Sequence, residues 1–335
     1  YDMTPYLKEG DNVLSVRVDH SRYADSRWYT GSGIYRDVWL IAAPEIHLAQ
    51  WGTSWHATSL TNRQATIAVD MEVQKHIATN DRLELSATLY DAVGKQVAQR
   101  RTRVSDGKEG ITKENLTLKI TNPHRWNLDD PYLYTLKTEL LSNGQRIDGC
   151  ETKVGLRTLK FDPNKGFALN DDWMKVKGVC LHHDAGVLGA VVPPEVWERR
   201  LNNLKEIGVN AIRMSHNPQA PVVYDLCDRL GLLIMDEASD EWEFPKRKWV
   251  KGWNKGEPAY DGSFDFFEEW IEQDVTDMVR RDRNHPSIFM WSIGNEVDYP
   301  NEPYSHPILD GSTINQPMFG GYKPDAPDAM RIGKI

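Results

Sequence analysis

Between residues 175 and 292, short apolar runs alternate with amphipathic stretches in strict order, and no other feature narrows the fold as much. "KVKGVC" (175–180), "VNAIRMS" (209–215), "LLIMDE" (232–237) and "SIFMWS" (287–292) have the length and composition of buried strands. Between them, "PPEVWERRLNNLKEIG" (193–208) predicts a helix opened by Pro and closed by Gly. "PVVYDLCDRLG" (221–231) predicts a second, and residues 264–284 a third, longer one. Strand–helix alternation with short connections produces βα units and a parallel sheet. A β/α barrel and a doubly wound sheet both satisfy the pattern. No Gly-rich phosphate loop follows any strand, which disfavours the dinucleotide-binding version.

The first half of the chain has a different texture. Residues 46–158 carry period-2 runs at 65–74, 82–92, 96–104, 115–120 and 132–142, separated by turn residues. About seven strands in this length suit an immunoglobulin-like β-sandwich. Residues 1–45 contain two strand-like runs, 12–18 and 34–41, around a Gly-rich turn. They are too few for a sandwich of their own, and are read as the last part of a larger β domain.

Composition sets outer limits. The 335 residues carry 49 acidic and 40 basic side chains, a net charge of −9, which argues against a nucleic-acid partner. No apolar run approaches membrane-span length, so no membrane partner is expected. Three cysteines without a CxxC pair indicate neither a zinc site nor a disulfide framework. Twelve tryptophans suit the faces of sugar rings, but fill cores equally well.

In a β/α barrel, chemistry collects at the C-terminal ends of the strands. The first strand runs into His182, His183 and Asp184. The second delivers Arg213, Ser215, His216 and Asn217. The third delivers Asp236 and Glu237, then Asp240, Glu241 and Glu243; the fourth delivers Asn295 and Glu296. Each has a bland reading: Arg213 could simply pair with Asp236 or Glu237, and Glu296 could be a helix N-terminal acid. Taken together, the four ends fit glycoside hydrolysis, in which one carboxyl protonates the leaving oxygen and, in retaining enzymes, a second attacks the anomeric carbon. Glu296, preceded by Trp291 and Ile293, suits the acid, which works best in an apolar or acidic setting.

At these residues the sequence resembles glycoside hydrolase family 2, the group holding β-galactosidases, β-glucuronidases and β-mannosidases. "DSRWYTGSGIYRDVWL" (25–40) is similar to the end of that family's sugar-binding jelly-roll domain. "NPHRWNLDDPYLYTL" (122–136) is similar to its immunoglobulin-like domain, and "VGLRTLKFDPNKGFALN" (154–170) to its entry into the TIM barrel. "NAIRMSHNP" (210–218) and "RDRNHPSIFMWSIGNE" (281–296) carry the most specific likeness. The resemblance implies a jelly-roll remnant over 1–45, an immunoglobulin-like sandwich over 46–158 and the first half of a (β/α)8 TIM barrel over 159–335. It implies Glu296 as general acid/base and Asn295 as the group that orients the sugar 2-hydroxyl. Arg213 would position the nucleophile, and His182 and His216 would line the pocket. Glu241 and Trp242 are expected to contact sugar.

Glu241 also matches a position that binds magnesium in some β-galactosidases. Those relatives have His where this chain has Glu243, so no obligatory metal is expected. The family's nucleophile sits at the end of the seventh barrel strand, and it is expected outside this chain. A TIM barrel takes about 250 residues, 200 at the least, and 159–335 falls short. The chain, which opens with no initiator Met and no targeting signal, is therefore expected to be an internal portion of a longer protein. The leading expectation is a retaining β-galactosidase acting on an oligo- or polysaccharide β-glycoside, with a homo-oligomer compatible with the sequence. The alternatives are a β-glucuronidase or β-mannosidase, or a non-catalytic carbohydrate-binding protein on a decayed barrel. No basic cluster beyond Arg213 stands at the four strand ends to claim a sugar carboxylate, which favours a neutral sugar.

Overall fold

The computed structural model describes residues 1–20, 29, 31–242, 248 and 262–297. The aromatic-rich loop with Glu243, Trp249 and Trp253, and everything after Val297, lie outside the described residues.

Seven antiparallel strands form a two-sheet sandwich. β1 (Ile46–Leu60), β2 (Gln64–Lys75) and β5 (Gly110–Thr121) make one sheet. β3 (Leu83–Tyr90), β4 (Gln96–Arg103), β6 (Tyr134–Ser142) and β7 (Gln145–Val154) make the other, in the order β4-β3-β6-β7. Period 2 decides what is inside: Ile67, Val69, Met71 and Val73 of β2 meet Leu116, Leu118 and Ile120 of β5. Across the core stand Leu83, Leu85, Leu89, Leu136 and Leu140. Each such side chain is worth about 1.5–3 kcal/mol when fully buried. A one-residue slip would turn them all outward, so the register is firmly set.

Residues 12–18 and 34–41 correct the expectation of strands there. Among the described residues neither run pairs with any strand, and among them the only element before Ile46 is a 3-10 turn at Thr4–Tyr6. A strand needs a partner edge for its N–H and C=O groups, and here Val13 and Trp39 stand 89% and 78% exposed.

Beyond the sandwich, β8 (Leu159–Asp162), β9 (Gly166–Leu169) and β10 (Asp172–Met174) form a small antiparallel sheet. The parallel sheet follows: β11 (Gly178–Leu181), β12 (Ala211–Met214), β13 (Leu233–Glu237) and β14 (Ile288–Ser292), paired in chain order. The connections run through α1 (Pro194–Glu206), α2 (Pro221–Leu230) and α3 (Phe267–Asp282). β11 starts later than the sequence reading because Asn210 occupies the preceding backbone: it accepts from Lys177 N–H and donates to Lys175 C=O. These are four strands and three helices of a TIM barrel.

Alternate strand residues face opposite ways. Ile212, Met214, Ile234 and Ile288 pack against Trp197, Leu201, Val223, Tyr224 and Cys227 of the helices. Ala211 and Leu233 turn the other way, onto Trp126, Phe167 and Leu169, which close the N-terminal end of the sheet. The Trp126 indole N–H donates to the Asp228 carbonyl at 2.8 Å, tying sandwich to barrel. The same junction explains Gly231: it stops α2 at φ +71°, and a Cβ there would lie 2.3 Å from the Leu128 carbonyl oxygen.

Candidate active site

The alternation that buries Ile234 under the helices aims Arg213 of β12 and Glu237 of β13 at the barrel interior. Glu237 is wholly buried and its carboxylate is saturated. Arg213 donates to Oε2 from Nε at 2.8 Å and from Nη2 at 2.6 Å. Ser292 Oγ donates to the same oxygen at 2.8 Å, and His216 Nδ1 lies 2.6 Å from Oε1. A carboxylate only accepts, so Nδ1 carries the imidazole proton. Burial alone would raise the Glu237 pKa; the His216, Arg213 and Ser292 hydrogen bonds outweigh it, and the group sits below its ordinary value. Glu237 is therefore a fixed anion that orients its neighbours rather than a proton donor.

Arg213 carries the order onward to β14. Its Nη2 also donates to Asn295 Oδ1 at 2.9 Å, and Asn295 Nδ2 donates to Asp240 Oδ1 at 3.1 Å. A donor at one end and an acceptor at the other leave the amide one orientation. Asn295 N–H is held by the Ser239 carbonyl at 2.8 Å. Glu296 follows directly, half-buried, with φ +50°. A left-handed backbone costs a non-Gly residue about 1–2 kcal/mol, and such outliers gather at functional positions.

From β11, the His182 ring meets the His216 ring edge-on, centroids 5.3 Å apart. Burial, then the neighbouring His216, lowers the His182 pKa, so it stays neutral near pH 7. His183 turns away, packing on Trp197 and Tyr35. Burial and then Arg36 push its pKa down to about 4. Contacts thus link His182, His216, Arg213 and Asn295 around Glu237, with Glu296 next in the chain.

Glu241 and Trp242 stand apart. Glu241 is buried and paired with the Lys248 ammonium. It lines a cleft with Ser239, Phe266, Trp270 and Asp274 that includes neither histidine nor Arg213. A lysine on its carboxylate does not fit a magnesium ligand. Trp242 corrects the expectation of a sugar-facing aromatic: it is 2% exposed and sits edge-on to Phe267 in a small core with Ile271. An indole with both faces packed offers no platform. Gly294 passes close over it, with room for a Cβ only 3.2 Å from its ring.

The sequence left open whether Arg213 pairs with Asp236 or Glu237, and the structure pairs it with Glu237. Two adjacent acids, Asp236 and Glu237, end β13, and only strand parity separates the one that enters the site from the one that does not.

Comparison with known proteins gives this geometry a context. The family model described as "Glycosyl hydrolases family 2, TIM barrel domain" matches residues 163–308, and "Glycosyl hydrolases family 2" matches 47–157. Beta-galactosidase BoGH2A of Bacteroides ovatus is 46% identical over 300 residues, 89% of this chain and 34% of that protein. A beta-glucuronidase of Bacteroides fragilis is 30% identical over 312 residues, 89% of this chain and 43% of that protein. The crystal structure of a beta-glycosidase from Bacteroides vulgatus superposes with a TM-score of 0.76 at 36% identity, covering 92% of this chain and 37% of that one. The chain spans about a third of the length of the relative it matches at 46% identity.

Proposed function

The chain belongs to glycoside hydrolase family 2, and from that premise we propose that it carries the acid/base half of a retaining β-glycosidase. The observation that carries the reading is the chain of contacts from Glu237 through Arg213 to Asn295, which delivers a singly oriented amide beside Glu296. In this reading Glu296 protonates the leaving oxygen, then deprotonates the water that cleaves the glycosyl-enzyme intermediate. Asn295 holds the sugar 2-hydroxyl, where hydrogen bonds strengthen as the oxocarbenium ion develops. His182 and His216 wall the sugar pocket, and Arg213 orients the attacking carboxylate. That second carboxylate comes from outside the described residues. Asp236, Glu237, Asp240 and Glu241 are each engaged as structural acceptors. No step is routed through a metal.

A β-galactoside is the leading substrate, ahead of a β-glucuronide. A glucuronate carboxylate needs an uncompensated cation, and the positive charge of Arg213 is balanced by Glu237. The substrate is expected to be an oligo- or polysaccharide. The unconnected alternative, a sugar-binding protein without catalysis, does not call for the strained Glu296 backbone. A panel of nitrophenyl β-glycosides assayed with the complete protein tests the reading. Turnover of the galactoside is expected; turnover of the glucuronide alone would reverse the ranking, and turnover of none would favour simple binding.

A further inference from the structure

Among residues 31–40, only Gly31, Tyr35 and Arg36 are part-buried; the others are exposed. All three rest on the mouth of the barrel, on two different loops. Tyr35 packs on His183, ring centroids 5.7 Å apart, and His183 rests in turn on Trp197 of α1 at 5.5 Å. Gly31 sits so close to Ala190 that a Cβ there would collide with the Ala190 side chain. Tyr29 extends the contact: a Cβ on Gly189 would lie 2.8 Å from its hydroxyl. His183, Gly189 and Ala190 all belong to the loop that leaves β11 through His182. Arg36 reaches the other loop. Its Nη1 donates to the Pro218 carbonyl at 3.0 Å, across 182 positions of sequence. Pro218 stands two residues after His216 in the loop that leaves β12. The Arg36 Nε meets no acceptor among the described residues.

From the barrel side each loop is held separately. In the β12 loop, His216 Nδ1 is fixed on Glu237, and the buried Gln219 places Nε2 3.4 Å from the carbonyls of Leu181, Ser215 and Asn217. In the β11 loop, Arg200 donates to the Asp184 carbonyl at 2.6 Å, and Ala185 N–H to the Gly189 carbonyl at 2.8 Å. The loops meet where Ser215 N–H donates to the Leu181 carbonyl at 3.1 Å, and again where the His182 and His216 rings touch edge-on. The early segment touches both from outside. A loop tied only at its base can pivot, and loops carry the larger motions of a fold; a second tie away from the base removes that freedom. Arg36 gives up hydration for its one carbonyl contact, which an exposed arginine would keep. A methionine would cover the same apolar surface without that loss, so the hydrogen bond is the feature that distinguishes the native side chain.

We propose that residues 31–36, with Tyr29, clamp the β11 and β12 loops to each other, and that Arg36 is thereby a positioning residue for the site. It acts through Pro218 on His216, and Tyr35 acts through His183 on His182. Together they fix the spacing of the two histidines that wall the sugar pocket. The positioning role rests on the glycosidase reading; the clamp itself does not.

The test uses the complete protein, with Arg36→Met and Arg36→Lys. Hydrogen–deuterium exchange needs no substrate. Arg36→Met should raise uptake rates about threefold or more in peptides covering 183–190 and 215–219, and leave residues 64–75 of the sandwich unchanged. Kinetics use whichever nitrophenyl β-glycoside the unsubstituted protein turns over. A pocket wall meets the sugar alike before and during bond cleavage, so displacing it should raise KM about tenfold and change kcat by less than about threefold. Arg36→Lys keeps a donor for the Pro218 carbonyl at a contact that is not bidentate, and should recover most of the loss. Gly31→Ala, whose Cβ meets Ala190, should loosen the 183–190 peptide and raise KM, and adding Ala190→Gly should reverse both. If Arg36→Met does not fold, this pair decides in its place. Loop peptides that exchange as in the unsubstituted protein would overturn the clamp. An unchanged KM, or a Lys variant as impaired as the Met variant, would overturn the positioning role. If no glycoside is turned over, the positioning role falls with the glycosidase reading, and the exchange result still decides the clamp.

Discussion

Arg213 and Glu237 form an ion pair across neighbouring parallel strands, Nη2 to Oε2 2.6 Å, with the carboxylate fully buried and the guanidinium side chain 30% exposed. The asymmetry matters. The buried anion holds the cation's inner edge, and Nη2 reaches on to Asn295. Neutralising Glu237 therefore removes the anchor of the site and not merely one contact.

Glu237→Gln is expected to destabilise the fold by about 2–4 kcal/mol, below the full cost of orphaning a buried charge because Arg213 stays partly solvated. The same change should lower kcat/KM by about 100-fold or more through misplacement of Asn295. Urea midpoints and steady-state kinetics measure the two. A variant with wild-type kinetics would make the pair a passive one.

Asn295 is predicted to act on the substrate 2-hydroxyl, and the two losses should not add. A 2-deoxy glycoside should lose about 10- to 100-fold in kcat/KM with the unsubstituted protein, and far less with Asn295→Ala. Additive losses would place the amide elsewhere on the sugar.

His285, whose ring packs against Tyr224 of α2, is expected to make the fold pH-sensitive. Burial opposes its charge, but Asp228, 2.6 Å from Nδ1, prevails and the pKa is raised. The fold then keeps a proton that the unfolded chain loses near pH 6.5. The stabilisation is complete below that pH and is lost as pH rises through the folded value. His285→Gln should be destabilised relative to the unsubstituted protein at pH 6 and show a smaller gap at pH 9, read from urea midpoints. A constant gap would remove the charge from the argument.

Gly231→Ala should destabilise by about 2 kcal/mol or more, combining left-handed strain with a clash against the Leu128 carbonyl. Thermal melting of the complete protein is the measurement. An unchanged Tm would mean that the junction between sandwich and barrel yields freely.

Much of this fold was legible where one face of an element is polar. β2, β3, β5 and β6 alternate cleanly, and α1 and α2 are bounded by Pro and Gly as read from sequence. β1 escaped because Trp51, at φ +52°, interrupts its alternation with a bulge. β7 escaped because it is an edge strand with little to bury. At the site, the strand-end positions of Arg213, His216 and Asn295 were readable from βα order. Which acid anchors Arg213 and His216 stayed open between Asp236 and Glu237, since residues 232–235 are apolar on both faces and give no parity to separate the two. Trp242 shows the converse limit: composition does not distinguish an aromatic that stacks on sugar from one that packs on Phe267.

The central claim is that Glu296 is the proton donor, and leaving-group dependence tests it most directly. In the complete protein, Glu296→Ala should lower kcat/KM for a poor leaving group, such as an alkyl β-galactoside, by about 1,000-fold or more. A dinitrophenyl β-galactoside, whose leaving group departs without protonation, should retain glycosylation rates within about tenfold of the unsubstituted protein. Equal losses on both substrates would contradict the assignment.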